Sequence, residues 1–283
     1  MGPLVFAVVL GPAFFHATWN ALIKIESDRL VAMALLNLAC AVCAVPFVIW
    51  GGVLRLEVVP WVLVSGALHT IYFLMLIAAY RVGDLSHVYP IARGSSPLLV
   101  AVVASVFIGE RLPTIGIFAV ILISIGIISL TVLARNTHAI WGRATLWAMA
   151  SGVMISIYTV IDGAAVRLNG DVLPFAGWLF IAGAVPMSGI AIATRGRLIV
   201  QLTRTQWRNG LGAGFLAFSS YALVLWGMSR APVAYVSALR EVSVIVAAVI
   251  GTRLMGEPFG RGRVAAASVV ALGAVLLQSE RVW

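Results

Sequence analysis

Long uninterrupted runs of apolar residues dominate this sequence. Ten of them, each of about 20 residues, are long enough to cross the hydrocarbon core of a bilayer as an α-helix. The runs cover residues 4–23, 30–50, 59–80, 85–108, 113–133, 144–165, 172–193, 209–229, 232–254 and 260–278. Apolar residues occupy every face of a run such as 115–130, whereas a membrane β-strand alternates apolar and polar residues. The pattern therefore predicts an all-α membrane protein with ten transmembrane helices.

The segments between the runs are short and rich in residues that end helices. They include Gly51-Gly52, Gly83-Asp84, Asn136, Asn169-Gly170, Gly196 and Pro232. Of the 283 residues, 62% are hydrophobic and 10% are charged, whereas a typical soluble domain has about 25% charged residues. No polar stretch is large enough for a separate soluble domain, so lipid is the expected solvent of the whole chain.

The second half of the chain repeats the first. Identical residues recur 147 positions apart in the pairs Arg93/Arg240, Ser96/Ser243, Glu110/Glu257 and Gly126/Gly273. Each repeat then holds five of the ten runs, and an odd number of crossings makes the second copy enter the membrane from the opposite side. The sequence predicts two inverted five-helix repeats, residues 1–138 and 139–283, with a substrate site near the midplane where they meet.

The net charge of +9 comes from arginines and a single lysine, Lys24. These residues lie mostly in the short loops, where they orient helices, so the charge predicts no nucleic-acid partner. The loops after odd-numbered runs carry the larger share, which by the positive-inside rule predicts both termini outside the cell. Cys40 and Cys43 lie within one apolar run and are interpreted as small apolar helix residues, because no second pair suggests metal or redox chemistry.

Two corner sequences carry a family resemblance. Gly109-Glu110-Arg111-Leu112 and Gly256-Glu257-Pro258-Phe259, each between two apolar runs, resemble the corners of the drug/metabolite transporter superfamily, in particular its EamA-type branch. The chain is further similar to the YddG-like aromatic amino-acid exporters. The resemblance implies a secondary transporter of the inner (plasma) membrane that exports amino acids, aromatic or other neutral, or related metabolites by alternating access. It also implies termini in the cytoplasm, in conflict with the loop charges.

Sequence motifs of other membrane-protein classes are absent. The chain contains no G-x-x-x-x-G-K-[ST] for nucleotide phosphates, and neither H-E-x-x-H nor G-x-S-x-G. We therefore predict a monomeric carrier without cofactor or metal, with a small-molecule substrate and with protons as the candidate coupling ion. The alternative is a membrane-embedded enzyme acting on a lipid-linked substrate, whose catalytic groups come from distant helices.

Three charged residues, Arg93, Arg240 and Glu241, lie deep inside apolar runs. Each is about nine residues into its run, roughly 12 Å deep and close to the middle of the membrane. A charge at this depth is expected to face a cavity or a partner. Two interpretations stay open: an arginine binds a substrate carboxylate in a fork geometry, or Arg93 pairs with Glu241 and fixes the fourth and ninth helices together.

Polar and aromatic residues near these charges complete the predicted site. Pro90 and Pro97 predict a kinked or broken helix, which in transporters can leave backbone groups free for solutes. Tyr89 and Tyr235 precede the arginines by roughly one turn and are expected to share their cavity. The predicted substrate-binding residues are Arg93, Arg240, Tyr89, Tyr235, His87, Trp19, Asn20, Ser96 and Ser243. The predicted coupling or ion-pair residues are Glu241, His16 and Asp162.

Structural interpretations also apply to four residues. Asp162 is expected near the membrane surface, where a charge costs little. His69 is expected to be an ordinary hydrogen-bond partner between helices. Tyr158 and Tyr221 supply aromatic surface without an assigned role.

Overall fold

The computed structural model describes residues 2–24, 26, 28–82, 85–133, 142–202, 204–246 and 261–279. Over these residues the chain forms helices and no β-strand, which confirms the predicted all-α class. The helices are α1 (Pro3–Leu10), α2 (Pro12–Lys24), α3 (Arg29–Trp50), α4 (Val59–Val82), α5 (Leu85–Phe107), α6 (Thr114–Leu133), α7 (Arg143–Asn169), α8 (Val172–Val200), α9 (Arg204–Met228), α10 (Val233–Arg240) and α11 (Arg261–Ser279).

Proline interrupts one predicted helix and not another. Run 4–23 is divided into α1 and α2 at Pro12, which has no N–H to continue the hydrogen-bond ladder. In run 85–108, by contrast, Pro90 and Pro97 lie inside a continuous α5. The interpretation of this run as a broken helix is therefore wrong, because each proline removes one N–H from the ladder without ending the helix.

The ninth run, 232–254, is interrupted directly after α10. The amides of Glu241 and Val242 donate to carbonyls three residues back, at 3.1 Å each, and form a tight turn before the helical residues 243–246. The residues on both sides of this turn are buried. Irregular backbone at membrane depth is tolerated only when it is surrounded by protein or lines a cavity. The turn therefore belongs to the interior of the helix bundle.

Glycines end two helices where the sequence predicts loops or corners. Gly170 caps α7 in the left-handed conformation, with φ of 80°. Gly109, with φ of 67°, turns the chain between α5 and α6. Gly196 was expected in a loop but lies within α8, where a non-helical conformation at Arg195 only kinks the helix. The predicted loop markers Gly83-Asp84 and Asn136 lie outside the described residues.

The described helices have the length and the surface of a membrane protein. Six of them, α3, α4, α5, α7, α8 and α9, are long and apolar enough to cross a bilayer. Large apolar side chains cover their outer faces, as at Phe107 in α5 and Ile192 in α8, which are 78% and 63% exposed. Such faces are stable against lipid and would promote aggregation in water. The chain is a multi-pass membrane protein.

Small residues bring the helices into close contact. Helix α3 packs against α8 and α9, α4 against α7 and α8, α5 against α6 and α7, α2 against α9, and α6 against α11. The backbone of α4 at Gly66 lies directly on Ala182 of α8, and the backbone of α9 at Gly214 lies directly on Ala39 of α3. A Cβ at either glycine would collide with its neighbour, so this close packing requires glycine.

Polar contacts gather at the two ends of the bundle. One end, here called the Glu110 end, contains Glu110 and the beginning of α8. The other, called the Asp28 end, contains the far end of α8, where Arg195 Nε lies 3.0 Å from Asp28 Oδ2. Partial burial alone would raise the pKa of Asp28. Hydrogen bonds from the Val31 amide, the Arg195 guanidinium and the Leu30 amide outweigh that effect and hold this pKa below its ordinary value.

Candidate functional site

Two arginines and one glutamate form a charged cluster at the centre of the bundle. Arg93 Nε lies 2.7 Å from Glu241 Oε2, and Arg240 Nε lies 3.5 Å from Glu241 Oε1. All three residues are at most 3% exposed. Arg93 comes from α5, whereas Arg240 ends α10 and Glu241 begins the turn that follows it, so the cluster joins the two halves of the chain. The ion pair considered from the sequence is present.

This cluster has more positive than negative charge. Two guanidinium groups face one carboxylate, and Nη2 of Arg93 and Nη2 of Arg240 have no hydrogen-bond partner among the described residues. The Arg93 guanidinium also lies over the ring of Tyr89, 5.9 Å from its centroid, a cation–π contact. Buried donors without partners are costly. The geometry thus leaves capacity for an added anionic group.

Both arginines reach the wall of a small interior cavity of about 90 Å³. Aromatic rings form much of the remaining wall, together with two histidines and a few small polar side chains. These residues are His16, Trp19, Asn37, His69, Tyr72, Phe73, Tyr158, Phe180, Ser220 and Tyr221. The cavity therefore combines a cationic pole with apolar and aromatic surface.

A second polar group lies beside the cavity, centred on Asp162 of α7. The Tyr221 hydroxyl donates to Asp162 Oδ2 at 2.6 Å, and His69 Nε2 lies 3.9 Å from the same oxygen. The His69 ring contacts the Tyr158 ring, with centroids 3.8 Å apart. Asp162 is fully buried within the helix bundle, and its depth in the membrane stays a prediction. The neighbouring helices α4 and α9 enclose it with their side chains.

The structure describes the side chains of some of the predicted site residues in α2. Trp19 lines the cavity and donates from Nε1 to His16 Nδ1 at 3.2 Å. The two rings meet edge to face. The side chain of Asn20, like that of His87 in α5, lies outside the described residues. Substrate binding by these residues stays a prediction.

Tyr89 and Tyr235 do not enter the cavity as expected. Tyr89 contacts Arg93 from outside the cavity wall, and Tyr235 packs with its hydroxyl against the backbone of Gly116 in α6. Tyr89 precedes Arg93 by four residues, about one helical turn, whereas Tyr235 precedes Arg240 by five. That extra residue rotates Tyr235 about 100° away from the face that Tyr89 shares with its arginine. The expected tyrosine pair is therefore not formed.

The two repeated serines are buried but do not line the cavity. Ser96 and Ser243 are at most 1% exposed, and neither hydroxyl has a hydrogen-bond partner among the described residues. They lie close to Arg93 and Arg240 in the chain, yet on helix faces that pack against other helices. Their assignment to substrate binding stays a prediction without support from contacts.

The Gly109-Glu110 corner joins the first half of the chain to the start of α10. The carboxylate of Glu110 accepts from the amides of Val233 at 2.9 Å and Ala234 at 3.2 Å. These amides have no partner within their own helix, so Glu110 acts as an N-terminal cap from another segment. Arg167 of α7 contacts Glu110 at 3.3 Å and also donates to the carbonyl of Ala231 at 2.8 Å.

A wider recess of about 890 Å³ opens at the Glu110 end. Its lining includes Arg167, Trp226 and Phe218. The Phe218 ring contacts Phe180, which lines the interior cavity, with centroids 4.8 Å apart. These two rings therefore lie between the recess and the cavity.

Comparisons with known proteins give a family match within the second half of the chain and do not concern the geometry of the site. Residues 142–279 match the EamA-like transporter family. The match supports the predicted drug/metabolite transporter superfamily and implies a membrane transporter of small substrates.

The fold also has a counterpart among solved structures. One, described only as the crystal structure of a protein, superposes with a TM-score of 0.76 over 96% of this chain and 94% of its own, at 18% identity. At this identity the likeness establishes a shared fold and says nothing of substrate. No curated protein sequence matches the chain.

Proposed function

We propose that the protein is a secondary transporter of the inner (plasma) membrane, with ten transmembrane helices in two inverted five-helix repeats, residues 1–138 and 139–283. Its proposed substrates are amino acids, aromatic or other neutral, or related small metabolites, and the proposed direction is export. The substrate site is the cavity at the arginine cluster, which is exposed to one side of the membrane at a time.

Reciprocal contacts between α6 and α11 support the inversion. A Cβ on Gly126 would lie 2.7 Å from Val270 Cγ2, and a Cβ on Gly273 would lie 2.6 Å from Ile123 Cγ1. The repeat offset of 147 converts one contact into the other. Ile123 of α6 contacts Gly273 of α11, and Gly126, three residues later in α6, contacts Val270, three residues earlier in α11. The two helices are therefore antiparallel. An axis relating antiparallel membrane helices lies in the membrane plane, as inverted repeats require.

The other helix contacts follow the same exchange of halves. In the proposed repeats α2, α3 and α4 correspond to α7, α8 and α9. The contact of α2 with α9 is then repeated as that of α7 with α4, and the contact of α3 with α9 as that of α8 with α4. Every one of these contacts is present, which favours two equivalent halves around a central site.

The surplus positive charge at the cavity carries the substrate proposal. Arg93 and Arg240 share the single carboxylate of Glu241, and the guanidinium fork matches a carboxylate in geometry. Rings such as those of Trp19 and Tyr158 in the same wall suit an apolar or aromatic side chain. An amino acid combines these two features in one small molecule.

Alternating access requires that the cavity open toward each end in turn. The Phe180 and Phe218 rings lie between the cavity and the Glu110 end. We expect them to separate when the halves tilt toward that end. Movement of two side chains that belong to α8 and α9 then controls entry, while the arginine cluster keeps the solute at the centre.

Counterflow in proteoliposomes tests this proposal. Vesicles loaded with unlabelled L-phenylalanine are expected to take up labelled L-phenylalanine, but not L-phenylalaninamide, which has no carboxylate for the arginines. Arg240→Gln is expected to lose this uptake, whereas Arg143→Gln, at an exposed position where α7 begins, should retain it. Equal uptake by the Arg240→Gln variant and the wild type, or of the amide and the acid, would contradict the proposal.

A further inference from the structure

We propose that Asp162, together with Tyr221 and His69, forms a proton-binding site beside the cavity, and that a proton and the ammonium group of an amino acid compete for it. This inference rests on the proposed transport function and specifies what drives it. A carrier that binds either the solute or the proton, but not both, exchanges the two in opposite directions. An inward proton gradient would then power export.

The contacts of Asp162 are those of a group that can take up and release a proton. A carboxylate fully buried among apolar helices is costly and is a candidate for a functional role. Tyr221 donates to it at 2.6 Å and stabilises its ionised form. His69 Nε2 lies 3.9 Å away, too far for a direct hydrogen bond but close enough for strong electrostatic coupling.

The hydrogen bonding of His69 defines what its Nε2 presents to Asp162. Nδ1 of His69 lies 2.9 Å from the carbonyl oxygen of Ser65 and 3.3 Å from the Ser65 hydroxyl. The carbonyl is closer and can only accept, which favours the tautomer with the proton on Nδ1. In the neutral ring Nε2 is then a lone pair facing the carboxylate. Two acceptors at this distance repel, and one added proton on either of them converts the repulsion into attraction. The pair of His69 and Asp162 can therefore hold one proton.

The charged and titratable groups around Asp162 come from each helix that packs on α7. Helix α4 contributes His69, α9 contributes Tyr221, and α10 contributes Arg240, which interacts electrostatically with the carboxylate. On α5 the charged and titratable groups of the cluster are Arg93, which pairs with Glu241, and Tyr89, which contacts Arg93. The described part of α8 at the cavity, around Phe180, has no titratable side chain. The other buried acid in these segments, Glu241, faces Arg93 and Arg240.

The position of this group relative to the cavity produces the competition. Tyr221 and His69 line the cavity, whereas Asp162 lies behind them. A zwitterion whose carboxylate binds Arg93 and Arg240 can place its ammonium against the rings of Tyr221 and Tyr158, as in other cation–π contacts. Positive charge at that point favours ionised Asp162 and opposes its protonation. Solute binding and proton binding therefore exclude each other.

Uptake driven by a pH gradient separates this inference from the transport proposal. With an imposed difference of about one pH unit and one proton exchanged per solute, the wild type is expected to accumulate L-phenylalanine about tenfold. Asp162→Asn cannot bind the proton, so its accumulation ratio should fall to that seen without a gradient, while counterflow continues with a changed KM. Glu57→Gln, an acid 58% exposed at the surface, should accumulate solute like the wild type.

Competition gives a second readout. The KM of the wild type for L-phenylalanine should rise as the pH falls, and this rise should be absent in Asp162→Asn. Tyr221→Phe keeps the ring but removes the hydrogen bond to the ionised carboxylate, so its pH profile should move to higher pH. This variant tests the proposal even if Asp162→Asn does not fold.

Four outcomes would overturn the inference. Gradient-driven accumulation by Asp162→Asn equal to the wild type, or an unchanged pH profile in Tyr221→Phe, would exclude Asp162 as the proton site and leave transport itself intact. Loss of both accumulation and counterflow in folded Asp162→Asn would assign Asp162 to solute binding alone. Absence of counterflow in the wild type would instead remove the transport proposal, and this inference with it.

Discussion

The two central arginines contact Glu241 at different distances, and we expect their replacement to have different effects. Arg93→Gln breaks the closer pair, at 2.7 Å, and should lower the stability of the folded protein by about 3–5 kcal/mol, since it leaves a buried carboxylate poorly compensated. Arg240→Gln removes a contact at 3.5 Å and should cost less. Thermal unfolding in detergent, followed by tryptophan fluorescence, measures both.

A compensating variant serves as the control for this prediction. Glu241→Gln added to Arg93→Gln removes the stranded charge and should restore part of the lost stability. If Arg240→Gln proved more destabilising than Arg93→Gln, the assignment of Arg93 as the main partner of Glu241 would be wrong.

Asp28 provides a pH-dependent contribution to stability at the Asp28 end. Its pKa is held below the ordinary value, about 3.9, since hydrogen bonds from Val31, Arg195 and Leu30 outweigh partial burial. A lowered pKa in the folded state stabilises the protein above that ordinary value, and the contribution is lost as the pH falls through the folded value. Asp28→Asn should therefore be less stable than the wild type at pH 7, with the difference shrinking below about pH 4. Unfolding temperatures across this pH range test it.

Single residues of the site were predictable only where their chemistry is rare in its surroundings. Arg93, Arg240 and Glu241 are conspicuous because charges seldom occur deep in apolar runs. Tyr72 and Tyr158 are not conspicuous, since aromatic residues are common in membrane helices and a run apolar on all faces does not tell which face meets a cavity. To predict that His69 belongs to a polar group, one would have had to know that α4 and α7 bring it next to Asp162.

At the scale of elements, Glu110 links the α5–α6 corner to α10. Glu110→Ala leaves the amides of Val233 and Ala234 without their acceptor, and should lower stability by about 1–2 kcal/mol. The effect should be local, so hydrogen exchange at these two amides should accelerate more than at other α10 amides. Glu57→Ala, which removes an exposed acid, is the control. Unchanged exchange at Val233 would contradict the capping role.

Close packing of α6 on α11 predicts a matched pair of effects. Gly126→Ala and Gly273→Ala each force a Cβ to within 2.7 Å and 2.6 Å of a side chain on the opposite helix, and each should destabilise by about 1–3 kcal/mol. Gly189→Ala on α8 has nothing within 4 Å of its Cβ and should be neutral or slightly stabilising. Thermal unfolding of the three variants measures this. Clearly unequal losses at the two α6–α11 glycines would argue against equivalent halves.

Helix positions could be predicted from the sequence, whereas helix interruptions could not. The length of the apolar runs placed the helices, and Gly170 marked an end correctly. Pro90 and Pro97 suggested a broken helix where α5 is continuous, since a proline removes only one hydrogen bond and packing can hold the helix together. The actual turn at Glu241 contains neither glycine nor proline, and depends on tertiary contacts that no local pattern reveals.

At the scale of the whole molecule, the proposed inverted repeats would place the beginnings of α1 and α7 on opposite sides of the membrane. In a background with Cys40 and Cys43 replaced by serine, Gly2→Cys should react with a membrane-impermeant maleimide from one side and Gly142→Cys from the other. Asp171→Cys, beyond the far end of α7, should react from the same side as Gly2→Cys. Labelling of Gly2→Cys and Gly142→Cys from the same side would indicate parallel repeats.

The architecture was more accessible from the sequence than the site. The class of protein follows from apolar content and run length, properties summed over many residues. The predicted inversion follows from an offset and an odd helix count, and the reciprocal contacts of Gly126 and Gly273 support it. The orientation of the chain in the membrane could not be predicted, because the loop charges and the family resemblance place the termini on opposite sides. Labelling at Gly2 would decide between them.

The ion pair between Arg93 and Glu241 limits how the proposed halves can move. Separating these charges in a low-dielectric interior would cost several kcal/mol, so the halves are expected to stay in contact at this level throughout a transport cycle. Each half is then expected to tilt about a pivot at Glu241. Displacements are smallest there and grow toward both ends, so a tilt that loosens the Glu110 corner necessarily tightens the opposite end around Asp28.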